Sequence, residues 1–194
     1  PAETHGLDDD RRRAPRPLSE LHQALEAKNA ALAALGEPTL LEEEALAGYL
    51  YTGPMFEKYN LVCRASIEEA PPFITEKVAQ SCKGNRYSTT LHVLNSLIVK
   101  CSKLTEVSPV YRGAKSGKLP ECFWEGNAHG VRGGVEAAFL STTRDREVAI
   151  GYAGRLSASS DATPLLFQMQ QGMVDRGAEL KWLSQYPHEE EVLF

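Results

Sequence analysis

The hydrophobic period of this 194-residue chain changes once, near Ser108. Before that point apolar residues recur every three or four positions, as in Leu18, Leu21, Leu25, Leu32 and Leu35, and again in Leu91, Leu94, Ile98 and Cys101. Such a stripe buries one face of a helix. After it glycines become frequent, and the apolar residues gather in short runs, PVYRG, AAFLSTT, PLLFQMQ and EEVLF, which read as strands. Helices first and strands later predict an α+β fold. A helical lobe over residues 18–106 should pack against a strand-rich core over 107–194, with two small, mainly antiparallel sheets facing each other across a cleft.

Punctuation residues divide the helical half. Gly36 is the expected stop of the first helix, and the capping box Thr39-Leu-Leu-Glu42 opens a second that reaches Tyr51. Gly53-Pro54 breaks it and starts a third, PMFEKYNLVCR. A short helix is expected around Phe73–Ser81, and a charged helical piece, RDREVAIGYAG, lies between the second and third strand runs. Residues 1–17, built of charge blocks and prolines, read as a disordered tail or linker ahead of one domain, 18–194. The chain opens at Pro1 with no signal-like apolar segment, so it reads as a piece of a longer protein.

Charge and cysteine usage narrow the function. A net charge of -5 argues against a nucleic-acid partner, which calls for a basic footprint. No apolar run approaches the roughly 18 residues of a membrane span. Cys63, Cys82, Cys101 and Cys122 lack metal-ligand spacing, so no metal is expected; disulfides and free thiols fit them equally well, which leaves the compartment open.

Four stretches of the strand-rich half carry candidate chemistry. In VYRG, Arg112 closes a strand at a glycine. Its guanidinium fork suits a phosphate or carboxylate and Gly113 lets a ligand approach the backbone, or the arginine simply makes a surface salt bridge. In FLSTT, Ser141 shares a strand face with Phe139 and Thr143, either as part of a half-exposed strand or as a hydroxyl that holds a carboxylate. No G-x-S-x-G elbow surrounds it, which argues against a nucleophilic serine. The loop GAELKWLSQYPH brings Trp182 and Tyr186, as core anchors or as recognition residues. Last comes the run Glu189-Glu190-Glu191 ahead of Val192, Leu193 and Phe194. A strand beginning near His188 puts Glu189 and Glu191 on one face and Glu190 on the other, as a solvated edge or as a working pair of carboxylates.

In this order, Tyr-Arg-Gly, aromatic-apolar-Ser-Thr-Thr and Glu-x-Glu-Val-Leu, with 29 and then 50 residues between Arg112, Ser141 and Glu191, the chain resembles the arginine–serine–glutamate class of NAD-dependent mono-ADP-ribosyltransferases. The likeness covers roughly Thr39 to Phe194 and is nearest the arginine-specific branch; YTGPMFEKYN and YSTTLHVLNSLIVK resemble that family's helical lobe. The histidine–tyrosine–glutamate class of poly-ADP-ribose polymerases fits less well, because Arg112 stands at its histidine position. The resemblance implies NAD as co-substrate in the cleft, no metal, an arginine-bearing protein as acceptor, and a monomer. It implies that Arg112 grips the diphosphate, Gly113 offers its backbone to the nicotinamide amide, and Ser141 aims Glu191 at the reacting ribose. Glu189 would receive the acceptor guanidinium beside Trp182 and Tyr186. Ser184 and Tyr51 match cofactor-contacting positions, while Arg144 and Arg146 either reach the phosphates or start a solvated helix.

The chain reads Ser-Thr-Thr where the family usually reads Ser-Thr-Ser, and it stops where family members usually continue into a further strand. An NAD glycohydrolase, an inactive NAD-binding or interaction module, and a retaining glycosidase are the competing expectations.

Overall fold

A computed structural model describes residues 16–68, 70–114, 119–155 and 164–194; of the predicted tail over 1–17, residues 1–15 lie outside them. Six α-helices are described: α1 (Leu18–Ala34), α2 (Glu42–Leu50), α3 (Phe56–Ala65), α4 (Pro72–Cys82), α5 (Ser88–Cys101) and α6 (Arg146–Arg155). The strands are β1 (Val110–Ala114), β2 (Ser141–Thr143), β3 (Leu165–Met169), β4 (Ala178–Glu179) and β5 (Glu191–Leu193). Every strand described lies after Ser108, where the hydrophobic period changes. None of the helices described is long and apolar enough to cross a membrane.

The α+β class and the antiparallel pairing hold, but the division into two sheets does not among the described residues. All five strands join one antiparallel sheet in the order β3-β1-β2-β5-β4. The join is the pairing of β2 with β5, Ser141 opposite Leu193 and Thr143 opposite Glu191. This register ties the last strand directly to the Ser-Thr-Thr strand, so the two halves of the sheet are continuous. β4, only two residues long, has no run of its own in the sequence.

Helical lobe and sheet share one core. Leu21, Leu25 and Leu32 of α1, Leu94, Leu97, Ile98 and Cys101 of α5, and Leu180, Leu183 and Leu193 form a single buried cluster. The stripe predicted for α5 is therefore the face that meets the sheet edge. Helix α1 stops where predicted, with Gly36 in the left-handed region at φ 72°. The capping box of α2 sits two residues later than predicted: Glu44, not Glu42, accepts the Leu41 N–H at 2.7 Å. Glu44 is drawn there because Lys100 and Ser96 of α5 bind the same carboxylate, 2.9 Å away for Lys100. All four cysteines are free thiols.

Between α2 and α3 the chain makes one wide π turn, Tyr51–Met55, with non-helical backbone at Gly53 ahead of Pro54. The proline cannot donate to the preceding turn, so the helix breaks as predicted and α3 folds back against Tyr51.

Candidate active site

Glu191 opens β5 and is the least accessible carboxylate among the described residues of the strand-rich half, 8% exposed. Ser141 of β2 donates its hydroxyl proton to Glu191 Oε1 at 2.6 Å. The two side chains are diagonal neighbours on one sheet face, since Ser141 stands two residues from Thr143, which is opposite Glu191. Burial pushes the Glu191 carboxyl up to about 7; the serine bond works against that rise and the charge of Glu189 adds to it.

Arg112 approaches the same strand. Its Nη1 donates to the main-chain oxygen of Ser141 at 2.8 Å. Burial lowers its pKa, and among the described residues no carboxylate pairs with it. A half-buried guanidinium aimed by a carbonyl and lacking a counter-ion suits an anionic ligand, and the surface salt bridge left open by the sequence is not what forms.

Gly113 also has a packing cause. A Cβ there would lie 1.9 Å from the Ala149 carbonyl oxygen and 2.8 Å from the Ala153 nitrogen. The missing side chain makes room for α6, which lies directly against β1. Close approach by the chain's own helix requires a glycine here.

Glu189 is not on the strand. Residues Pro187–Glu189 form a 3₁₀ turn, Glu190 takes the left-handed conformation at φ 46°, and only Glu191 enters β5. Simple alternation from His188 is therefore broken by one backbone reversal. Glu190 turns out to meet Lys181 at 2.6 Å, and Glu189 accepts a hydrogen bond from the Tyr152 hydroxyl of α6. The Thr143 hydroxyl donates to the Glu189 main-chain oxygen at 2.6 Å and accepts the Asp145 N–H at 2.9 Å. The charge of Glu189 still acts on Glu191.

Tyr51 is 1% exposed and lies edge-on to Phe139 at 5.6 Å, under the electrostatic influence of Glu191 and Arg112. Burial, then the Glu191 charge, raises its pKa. Ser184 is buried and its hydroxyl accepts the Tyr186 N–H at 2.9 Å, which braces the turn after β4. Gln185 ties that turn to the π turn: its N–H reaches the Thr52 hydroxyl at 3.1 Å and its amide the Tyr49 carbonyl at 2.6 Å. Gly53 makes room for it, since a Cβ would sit 2.2 Å from Gln185 Nε2.

The structure separates the two loop aromatics. Trp182 packs on the helical core, under Lys28 of α1 at 5.9 Å from the ring, with Arg16 on its carbonyl oxygen. That is the core-anchor alternative. Tyr186 lies edge-on to His188 beside the 3₁₀ turn. Arg144 turns to the Glu106 carbonyl at 2.9 Å and Arg146 to its neighbour Glu147 at 3.3 Å.

Sequence reasoning missed Asn60, Arg64 and Glu136. Asn60 donates to the Tyr51 hydroxyl at 3.2 Å, and Arg64 makes a two-pronged pair with Glu136. Asn60 and Arg64 are spaced as i and i+4, a helical-face signal, but nothing in the sequence says what that face meets.

No sequence profile of a known protein family matches this chain, and no curated protein sequence does. Solved structures do. The ADP-ribosyltransferase HopU1 of Pseudomonas syringae pv. tomato DC3000 superposes with a TM-score of 0.54 at 22% identity, over 78% of this chain and 65% of that one. The Vis toxin, an ADP-ribosyltransferase from Vibrio splendidus, gives 0.52 at 19% identity over 93% and 76% of the two chains. Exoenzyme S from Pseudomonas aeruginosa gives 0.53 at 16% identity over 91% and 69%. This chain thus has the ADP-ribosyltransferase fold, and it spans about two thirds of the length of HopU1.

Proposed function

We propose that this protein transfers ADP-ribose from NAD to arginine side chains of target proteins, with release of nicotinamide. The observation that carries the reading is the Ser141–Glu191 hydrogen bond next to the half-buried guanidinium of Arg112, which no carboxylate among the described residues pairs with, within an ADP-ribosyltransferase fold.

NAD supplies an N-glycosidic bond whose nicotinamide is the leaving group. Arg112 binds the diphosphate by charge-assisted bonds, and among the described residues no salt bridge occupies it. Ser141 holds Glu191 by one oxygen and leaves the other for the 2′-hydroxyl of the nicotinamide ribose. Once ionised, Glu191 stabilises positive charge on that ribose as the glycosidic bond lengthens, which a fixed charge in a water-poor site does without reorganising. Tyr51 and Phe139 form an apolar wall beside it, keeping the local dielectric low.

Glu189 receives the guanidinium of the acceptor. Free arginine holds its proton to a pKa above about 12, so a positioned base is needed, a contribution of roughly 10²–10⁴ in rate. Thr143 and Tyr152 fix Glu189 from its main chain and its side chain. Two further facts support the reading: Vis has been solved with agmatine, a small guanidine, and Exoenzyme S with Carba-NAD.

Nicotinamide release from NAD, measured with and without agmatine, tests this directly. Release together with ADP-ribosyl-agmatine is the expected result. Release without any labelled agmatine would assign a glycohydrolase, and no release at all a binding module.

A further inference from the structure

Helix α2 ends at Leu50, so the Tyr49 carbonyl stands in its last turn, where helix carbonyls run out of intrahelical partners. Pro54 has no N–H to offer, and the backbone at Gly53 is not helical. Two side chains meet this oxygen instead. The Thr52 hydroxyl donates to it at 2.9 Å from within the π turn, and the Gln185 amide donates to it at 2.6 Å from 136 residues away. Thr52 is buried, and the same hydroxyl accepts the Gln185 N–H at 3.1 Å. Gln185 is thus held by main chain and side chain at once.

The contact is also a steric fit. The three atoms nearest a Cβ built on Gly53 are Nε2, Cδ and Oε1 of Gln185, all within 2.9 Å. Gly53 has a φ of -105°, outside the left-handed region, so its backbone does not call for glycine. The amide slot does. In α2, Gly48 likewise leaves room for Leu183, whose Cδ2 would lie 3.0 Å from a Cβ there. Gln185 stands four residues before Glu189, and the chain between them has little slack. The Ser184 hydroxyl accepts the Tyr186 N–H at 2.9 Å, and the Glu189 N–H donates to the Tyr186 carbonyl at 3.0 Å. At the other end of the contact, Tyr51 lies between Tyr49 and Thr52 in the chain and faces Phe139. The amide therefore joins the turn that carries the acceptor carboxylate to the wall beside the ribose.

Resting on the arginine-transfer reading above, we propose that Gln185 is a positioning residue that sets how the ADP-ribosyl group divides between a guanidine and water. Locked to the π turn, it fixes where Glu189 stands relative to the reacting ribose. The glycosidic bond to nicotinamide breaks in either outcome. The new bond forms to a guanidine nitrogen, whose proton Glu189 takes, or to the oxygen of water, which yields its proton to solvent. A guanidine must be held in line with the ribose carbon as nicotinamide leaves, so a small displacement of Glu189 costs much of the transfer rate. Water, small and abundant, does not depend on that placement.

Gln185→Ala, Gly53→Ala and the double variant, assayed for nicotinamide release in water and for ADP-ribosyl-agmatine, test this. Either single change should lower kcat/KM for agmatine about tenfold, while release in water stays near the parent rate. The double variant should be no worse than Gln185→Ala alone, because Gly53→Ala acts by evicting an amide that the other change has already removed. Peptides covering 184–191 should exchange their amide hydrogens faster in both single variants, with the helices exchanging as in the parent. Parallel loss of both activities with a lowered melting temperature, or losses that multiply in the double variant, would make the contact a brace of the fold and overturn the proposal. An unaltered protein that releases nicotinamide without forming ADP-ribosyl-agmatine, or releases none, overturns the transfer reading and this assignment with it.

Discussion

The Thr143 hydroxyl donates to the main-chain oxygen of Glu189 at 2.6 Å, linking the end of β2 to the 3₁₀ turn that carries the proposed acceptor carboxylate. Thr143 is 6% exposed and also receives the Asp145 N–H, so its oxygen works as donor and acceptor at once. Only the hydroxyl is needed for this, and serine and threonine both supply it. Thr143→Ser should keep transfer to agmatine near the parent rate. Thr143→Val leaves two polar groups unpaired, worth about 1–3 kcal/mol, and should lower transfer by tenfold or more. Rates of labelled agmatine formation for the two variants check the pair; equal rates would remove Thr143 from the positioning of Glu189.

The two glutamates should separate two activities. Glu191→Gln removes the charge facing the ribose, so both nicotinamide release in water and transfer to agmatine should fall, by roughly 10²–10³. Glu189→Gln keeps the size and loses the base, so transfer should fall while release in water persists. Side-by-side assays of both products decide it. An equal loss of both activities in Glu189→Gln, with NAD still bound, would show the roles are wrongly divided.

The buried state of Glu191 should be visible in stability and in rate. Between its ordinary value of 4.5 and about 7, the unfolded chain has released this proton while the folded chain keeps it. The folded state then binds more protons, so stability falls as pH rises through that window and levels off above it, by on the order of 3 kcal/mol. Glu191→Gln removes the titration. The variant should be more stable than the parent at pH 8 and gain nothing at pH 4, read as urea midpoints. Nicotinamide release by the parent should rise with pH through about 7 as the carboxylate ionises. A pH-independent stability difference would mean that Glu191 is not buried as the structure has it.

Gly113→Ala tests the contact between β1 and α6. The added methyl would fall 1.9 Å from a backbone oxygen, which cannot rotate away. Overpacking of this kind costs about 1–3 kcal/mol, and α6 also carries Tyr152, which binds Glu189. A lowered melting temperature together with weaker transfer is expected. A variant that melts like the parent would show that α6 can shift freely away from the strand.

What the sequence determined by itself was periodic or chemical. The stripe through Leu94, Ile98 and Cys101 is the buried face of α5, and the four apolar runs after Ser108 are four of the five strands, because period and burial are local consequences of backbone geometry. The Ser141–Glu191 contact was legible through resemblance to a motif, and the 2.6 Å bond bears it out. The rest depended on partners distant in the chain. Whether the strands form one sheet or two is set by the pairing of β2 with β5, some 50 residues apart, which no local pattern encodes. Glu189 leaves strand alternation because Glu190 reverses the backbone at φ 46°, a conformation uncommon for a glutamate and here stabilised by Lys181 and by the Thr143 bond to the preceding residue. That Gly113 must also admit α6 shows only once the helix is seen against it, and Arg64 reads as an ordinary helix residue until Glu136, 72 positions away, is brought to it. A side chain's type is written in the sequence, but the field around it is made by whatever the fold brings near.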